Sequence, residues 1–282
     1  MARLRLRDGR SLGFDVHGPS DGDDVVVFFH GTPGSRGFVP GPVEGVRLVV
    51  FDRPGFGESD PQPNRVVGDT AADVAALLAH LRVERARLLA WSGGCPFAAA
   101  TACRLGPATV RTLTLVSGPG PLDEVDGAWE ALGDLRGPTA HVARTDRAAA
   151  KRAIARNMVR IIEQPERFVG AGRGPDAVVI AEASVREGLV RQIEGAVTQG
   201  SAGVEEDLTA MWLPWGFALS EISVPTFVFQ GALDPDNAAD ARTYAAKIPN
   251  AELTVWPDGG HLAIVSNWSQ VVAAGSLSEP PR

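Results

Sequence analysis

Arg87-Leu88-Leu89-Ala90-Trp91-Ser92-Gly93-Gly94-Cys95-Pro96-Phe97 decides how this chain folds. The apolar run Leu88 to Trp91 has the length and composition of a buried strand, and the Ala-rich segment from Pro96 to Leu105 reads as a helix. Ser92 sits on the turn between them. A strand that reverses into a helix within a few residues brings backbones into contact, so the flanking positions must be small. Ala90, Gly93 and Gly94 meet that need. This small-x-Ser-x-Gly spacing is that of a nucleophile elbow, where a strained turn lifts the serine hydroxyl clear of the sheet beside a helix N-terminus. Ala90 replaces the commoner leading glycine, and a tight structural turn would share the pattern.

Working outward, short apolar runs recur on both sides of the elbow. Residues 3–17 alternate polar and apolar positions around Asp8-Gly9-Arg10, as an edge hairpin does. Val25-Val26-Val27-Phe28-Phe29 is apolar throughout, which predicts a strand covered on both faces. It runs into the loop His30-Gly31-Thr32-Pro33-Gly34-Ser35. The next strand, Leu48 to Phe51, ends in Asp52-Arg53-Pro54-Gly55-Phe56-Gly57-Glu58-Ser59, a turn by its glycine and proline density. Thr70-Ala71-Ala72-Asp73 has the spacing of a capping box, and Val74, Leu77, Leu78 and Leu81 follow on one helical face. After the elbow helix, Val110 to Val116 is a further strand. Alternation of this kind predicts an α/β protein with a mostly parallel, twisted sheet and helices on both faces.

From about Pro119 to Ser223 the alternation stops. Helical spacing appears at Ala148 to Glu163 (Ile154, Met158, Ile161, Ile162), Ala177 to Glu194 and Glu205 to Trp212, with a break at Gly170 to Pro175. The sheet then resumes at Thr226 to Gln230, a helix near Ala238 to Lys247, a strand Glu252 to Trp256 and a last helix from about Leu262 to Ala274. The expected division is a core of residues 1–118 and 224–282 with a helical cap of residues 119–223.

Composition narrows the function. With 282 residues, 44% of them hydrophobic, the chain can bury a sizeable core, and a formal charge of -7 argues against nucleic acid as a partner. No stretch of about 18 apolar residues is present and the N-terminus lacks a signal-peptide pattern, so no membrane association and a cytoplasmic location are expected. Cys95 and Cys103 lie eight apart on one predicted helix, about 12 Å at helical rise and beyond disulfide reach. Nothing in the sequence implies a metal or cofactor, and oligomeric state is left open.

Four motifs in order resemble the α/β-hydrolase superfamily, in particular its cap-bearing serine hydrolases with a His-Gly-x-Pro loop. They are His30-Gly31-Thr32-Pro33, Asp52-Arg53-Pro54-Gly55-Phe56-Gly57-Glu58-Ser59, the Ser92 elbow and Gly260-His261. The resemblance covers the core almost end to end and leaves the insertion without a recognisable motif. It implies the α/β-hydrolase fold and a serine nucleophile served by a histidine base and an acid that orients it. Of the five histidines, His261, after Asp258-Gly259-Gly260, is the expected base. His17, His80 and His141 read as surface or packing residues, and His30 as a support for its loop. Gly231-Ala232-Leu233-Asp234 matches the usual position of the acid, with Asp236 and Asp123 as alternatives. Backbone N–H groups of Thr32 and Gly93 would form the oxyanion hole. Asp52 and Arg53 read as structural.

The substrate expected is a small molecule with an apolar part. Trp91, Trp215 and Phe217 are expected to face it, whereas Trp129, Met158, Phe168, Met211 and Trp212 read mainly as core of the insertion. The reaction expected is cleavage of an ester, thioester or lactone through an acyl-enzyme on Ser92. Amide cleavage, or non-hydrolytic chemistry such as cyclisation, elimination or carbon–carbon cleavage at the same residues, would use the same scaffold. A binding protein without catalysis is less compatible with an intact Ser, Asp and His set.

Overall fold

The structure, a computed structural model, describes residues 2–19, 21–234 and 237–276. The chain opens with the hairpin β1 (Ala2–Arg5) and β2 (Ser11–His17), followed by β3 (Val25–Phe29), β4 (Arg47–Phe51), α1 (Thr70–His80), β5 (Ala86–Trp91), α2 (Cys95–Thr109) and β6 (Val110–Val116). Seven helices come next: α3 (Ala128–Ala131), α4 (Gly133–Ala143), α5 (Arg147–Glu163), α6 (Pro165–Val169), α7 (Pro175–Ile180), α8 (Ala183–Ala196) and α9 (Ala202–Trp212). The sheet resumes with β7 (Thr226–Gly231), α10 (Ala238–Lys247), β8 (Ala251–Trp256), α11 (Ala263–Ser266) and α12 (Trp268–Ala273). Eight strands form one sheet in the order β1-β2-β4-β3-β5-β6-β7-β8; β1 and β2 pair antiparallel and all pairs from β4 to β8 are parallel. No strand occurs between β6 and β7 among the described residues.

Strand periodicity explains why the central runs are apolar at every position. Alternate side chains point to opposite faces, and both faces are covered. Val25, Val27 and Phe29 of β3, with Leu88 and Ala90 of β5, pack with Leu77 of α1, Phe97 of α2 and Tyr244 of α10. Val26, Phe28 and Leu89 point the other way, onto Trp268 and Val271 of α12 and onto Leu189 and Ile193 of the insertion. The insertion also has a small core of its own, in which Ala143, Ile154, Met158, Val204 and Trp212 pack with Phe56 of the Asp52 turn.

Three expectations about helix ends are corrected. Thr70-Ala71-Ala72-Asp73 forms no capping box, because a 3-10 turn at Val67–Asp69 leads straight into α1 and places Asp73 inside the helix. Buried Asp73 instead takes a forked pair of bonds from Arg10 of the first hairpin, at 2.7 and 3.2 Å. The helical stretch at 177–194 divides between α7 and α8, and the last helix divides at Asn267 into α11 and α12.

Candidate active site

The serine lies where β5 gives way to α2. Ser92 has φ of +54°, in the left-handed region that non-glycine residues avoid, so its backbone carries strain that the surrounding packing must hold. What crowds it is the loop after β3. A Cβ on Gly93 would lie 2.6 Å from Thr32 Oγ1 and 3.0 Å from Thr32 N, so glycine is required for the two backbones to approach. Thr32 and Gly93, proposed from sequence as partners, are therefore neighbours beside Ser92.

His261 is carried by the turn between β8 and α11. Its Nε2 is 3.0 Å from Ser92 Oγ, and its Nδ1 is 2.9 Å from Asp234 Oδ2. Asp234, at the end of β7, is buried, and the same oxygen accepts from Gln230 Nε2 at 3.2 Å and Asn237 Nδ2 at 3.4 Å. Residues separated by up to 169 positions thus form one chain of hydrogen bonds at the carboxyl end of the parallel strands. Of the alternative acids, Asp123 is half exposed and pairs with Arg144, and Asp236 lies outside the described residues.

The other histidines and the nearby thiol take different parts. His30 is fully buried: Nδ1–H donates to Gly31 O at 2.8 Å and Nε2 accepts the Arg53 N–H at 3.1 Å, an assignment of the proton that satisfies both partners. Burial and then the charge of Arg53 hold this imidazole well below its ordinary pKa, so it is neutral. His80 packs edge-on against Phe14 and His141 stacks on Trp129. Burial pushes the Cys95 thiol up to about 12, which leaves it inert beside the serine.

A buried charge cluster beneath the Thr32 loop was not foreseen. Arg53 and Asp207 are both fully buried and joined by Arg53 Nη2 to Asp207 Oδ2 at 2.6 Å; Arg65 pairs with the other carboxylate oxygen. Arg53 also donates to His30 O at 2.5 Å, Gly31 O at 3.0 Å and Thr32 Oγ1 at 2.8 Å. Thr32 Oγ1 in turn donates to Asp207 Oδ2 at 2.5 Å. Burial alone would raise the Asp207 carboxyl, but the two guanidinium groups outweigh it and hold it below the usual range. Asp207 belongs to α9 of the insertion, in the acidic run Glu205-Glu206-Asp207. Its one signal is position: it lies three and four residues before Ala210 and Met211, both buried, on the apolar side of the helix. Asp52, by contrast, closes its own turn, accepting from Arg36 N at 2.8 Å and Glu58 N at 3.1 Å.

Above Ser92 and His261 is a cavity of about 450 Å³. Ile154 and Met158 of α5 and Leu208 and Met211 of α9 give it apolar walls, with Asn157 and Arg136 as polar groups. The structure does not bring the three aromatic residues expected to face the substrate into this cavity. Trp91 packs behind His261, its ring 5.7 Å from the imidazole and its indole N–H donating to His261 O at 3.2 Å. Trp215 and Phe217 turn into the core next to Leu219, with Trp215 Nε1 donating to Met211 O at 3.1 Å. Strand alternation puts Trp91 with Leu89 in the cluster that includes Trp268, and Trp215 and Phe217 belong to the cluster on the other face of the sheet. Met158, Phe168, Met211 and Trp212, which read as the insertion's core, line the cavity instead.

The eight-stranded sheet, with β5 central and its helices on both faces, is the α/β-hydrolase fold. Residues 24–161 match the family model described as alpha/beta hydrolase fold. Solved structures with this fold superpose over nearly the whole chain. A hydrolase from Pseudomonas aeruginosa aligns with a TM-score of 0.70 at 22% identity, covering 97% of each chain. An esterase from Rhodococcus sp. gives 0.65 at 22% identity over 97% of this chain and 96% of its own. An enol-lactonase from Burkholderia xenovorans gives 0.64 at 18% identity, covering 97% of each. Comparison with curated protein sequences gives no match. Residues 24–161 thus match that family model, and the chain as a whole has the α/β-hydrolase fold.

Proposed function

We propose that the protein is a serine hydrolase that cleaves an ester, thioester or lactone of a small, partly apolar substrate through an acyl-enzyme on Ser92. The observation that carries this reading is the unbroken contact from Ser92 Oγ to His261 Nε2 and from His261 Nδ1 to Asp234. A serine hydroxyl is a weak nucleophile until a neighbouring base takes its proton. In the proposed cycle His261 Nε2 accepts that proton as Ser92 Oγ bonds to the substrate carbonyl carbon. Asp234 holds the ring and stabilises the imidazolium. The carbonyl oxygen becomes an oxyanion and takes hydrogen bonds from the backbone N–H groups of Thr32 and Gly93, each donor worth about 2.7–4 kcal/mol in comparable sites. The tetrahedral adduct collapses, expelling the alcohol, thiol or ring oxygen, which takes the proton from His261. Water, deprotonated by His261, then attacks the acyl-enzyme and restores the serine.

The same reading makes the helices of residues 119–223 a cap whose α5 and α9 shape the acyl site. Esterase and enol-lactonase activities among structures of this fold are compatible with it. The test is a fluorophosphonate probe with short-chain p-nitrophenyl esters. Wild type is expected to be labelled and to turn over esters. Ser92→Ala is expected to do neither. Folded wild type that resists the probe would overturn the proposal. Labelling without ester turnover would shift the assignment to another reaction at the same serine.

A further inference from the structure

The turn that carries His261 is held from two directions. On one side the Trp91 indole N–H of β5 donates to His261 O at 3.2 Å. On the other side stands a carboxylate from the insertion. Asp176, in the first turn of α7, accepts the His261 N–H on Oδ2 at 3.2 Å and the Leu262 N–H on Oδ1 at 2.8 Å. The fit is close: a Cβ at Gly260 would collide with this carboxylate, so the residue before the histidine must be glycine for the clamp to close. Asp176 therefore binds two successive amides with its two oxygens, an arrangement in which the anionic acceptor strengthens both bonds. The carboxylate does not cap its own helix: both bonds leave α7 and end on the histidine turn that leads into α11, 85 and 86 residues away.

We infer that Asp176 is a positioning residue for His261, so that the insertion orients the proton acceptor of the reaction as well as covering the substrate. This inference rests on the hydrolase reading above. The backbone of His261 is fixed at its N–H by Asp176 and at its carbonyl by Trp91, and its ring is fixed at Nδ1 by Asp234. Removing Asp176 releases one of these three restraints and loosens the turn that sets the ring against Ser92 Oγ. A misplacement of about 1 Å in a reacting group lowers rates by on the order of 100-fold.

The experiment compares full-length wild type, Asp176→Asn and Asp176→Ala, each shown to be folded by its melting profile, in three readouts. These are fluorophosphonate labelling rate, kcat and KM on p-nitrophenyl acetate, and the downfield proton resonance of a histidine Nδ1–H bonded to carboxylate, assigned with His261→Gln. Asp176→Ala is expected to lower labelling rate and kcat by roughly 10- to 100-fold with KM unchanged, because the effect falls on the reacting base rather than on substrate binding. Asp176→Asn, which keeps one acceptor oxygen, is expected to recover part of the loss. The downfield resonance should broaden or shift in Asp176→Ala. Unchanged labelling and kcat in both variants, with wild type labelled at Ser92, would overturn the positioning role and leave the hydrolase reading intact. If wild type resists the probe, that reading fails, and the resonance decides alone: movement in Asp176→Ala sustains the clamp and no movement overturns it.

Discussion

A proton on His30 would have nowhere to go in the folded protein, because Nε2 already accepts the Arg53 N–H and the Arg53 guanidinium lies against the same loop. Burial and that charge keep the imidazole neutral in the fold, while in the unfolded chain it titrates near its ordinary value of about 6.5. The unfolded state then binds more protons than the folded one below that value. The stability this histidine contributes is therefore fully present above about pH 6.5 and declines as pH falls below it, by up to about 1.4 kcal/mol per pH unit. Urea unfolding at a series of pH values between 5 and 8 should show this slope in wild type. His30→Gln should be less stable at neutral pH and should lose that part of the slope. An equal slope in both proteins would show that His30 is not its source.

At the scale of elements, α9 joins the insertion to the core through a charge rather than through area alone. Asp207 sits between Arg53 and Arg65 with both its oxygens engaged and no exposure to solvent. Removing one partner of such a cluster leaves uncompensated buried charge, which typically costs about 3–5 kcal/mol. Asp207→Ala is expected to lose stability on that scale in chemical denaturation. Asp123→Ala, which breaks the exposed pair with Arg144, should lose no more than about 1 kcal/mol. Similar losses in the two variants would show that the buried cluster holds the fold no more strongly than the exposed pair. Thr32 is bonded to Asp207 in the same cluster, so the loop proposed to bind the oxyanion depends on a helix that enters the sequence 175 residues later.

For the whole molecule, the sheet sets the floor of the cavity and the insertion sets its depth. Ser92, Gly93 and His261 lie at its base, and α5 and α9 close it with Ile154, Met158, Leu208 and Met211. A volume of about 450 Å³ falls within the range of small-molecule sites and, on the proposed hydrolase reading, suits modest acyl groups. Met158→Trp would fill part of this space. It is expected to leave turnover of p-nitrophenyl acetate within about twofold and to raise KM several-fold for butyrate and longer esters. A uniform effect across chain lengths would mean that Met158 does not bound the acyl site.

Much of this architecture was legible along the chain, because its causes are local. The all-apolar runs at Val25 to Phe29 and Leu88 to Trp91 announce strands covered on both faces, and both are buried at every position. The small residues around Ser92 announce the tight turn. Ser92, His261 and Asp234 stand out by their resemblance to a family's motifs, and each follows a strand end, which a parallel sheet brings to one edge. What could not be read was which side chains meet across elements distant in sequence. Thr70 and Asp73 have the spacing of a cap, yet the preceding turn and Arg10 assign Asp73 another partner. Trp91, next to Ser92 in sequence, and Trp215 and Phe217, near the return to the sheet, are large and apolar, yet none of the three lines the cavity. Sequence by itself determined the strands, their order along the chain and the tight turn at Ser92, since hydrophobic period and turn chemistry act between near neighbours. The tertiary structure alone decided that Asp207 would lie beneath the Thr32 loop and Asp176 against the His261 turn. Both depend on how the insertion docks, and a carboxylate in a charged run looks the same along the chain whether it ends in water or against a buried amide.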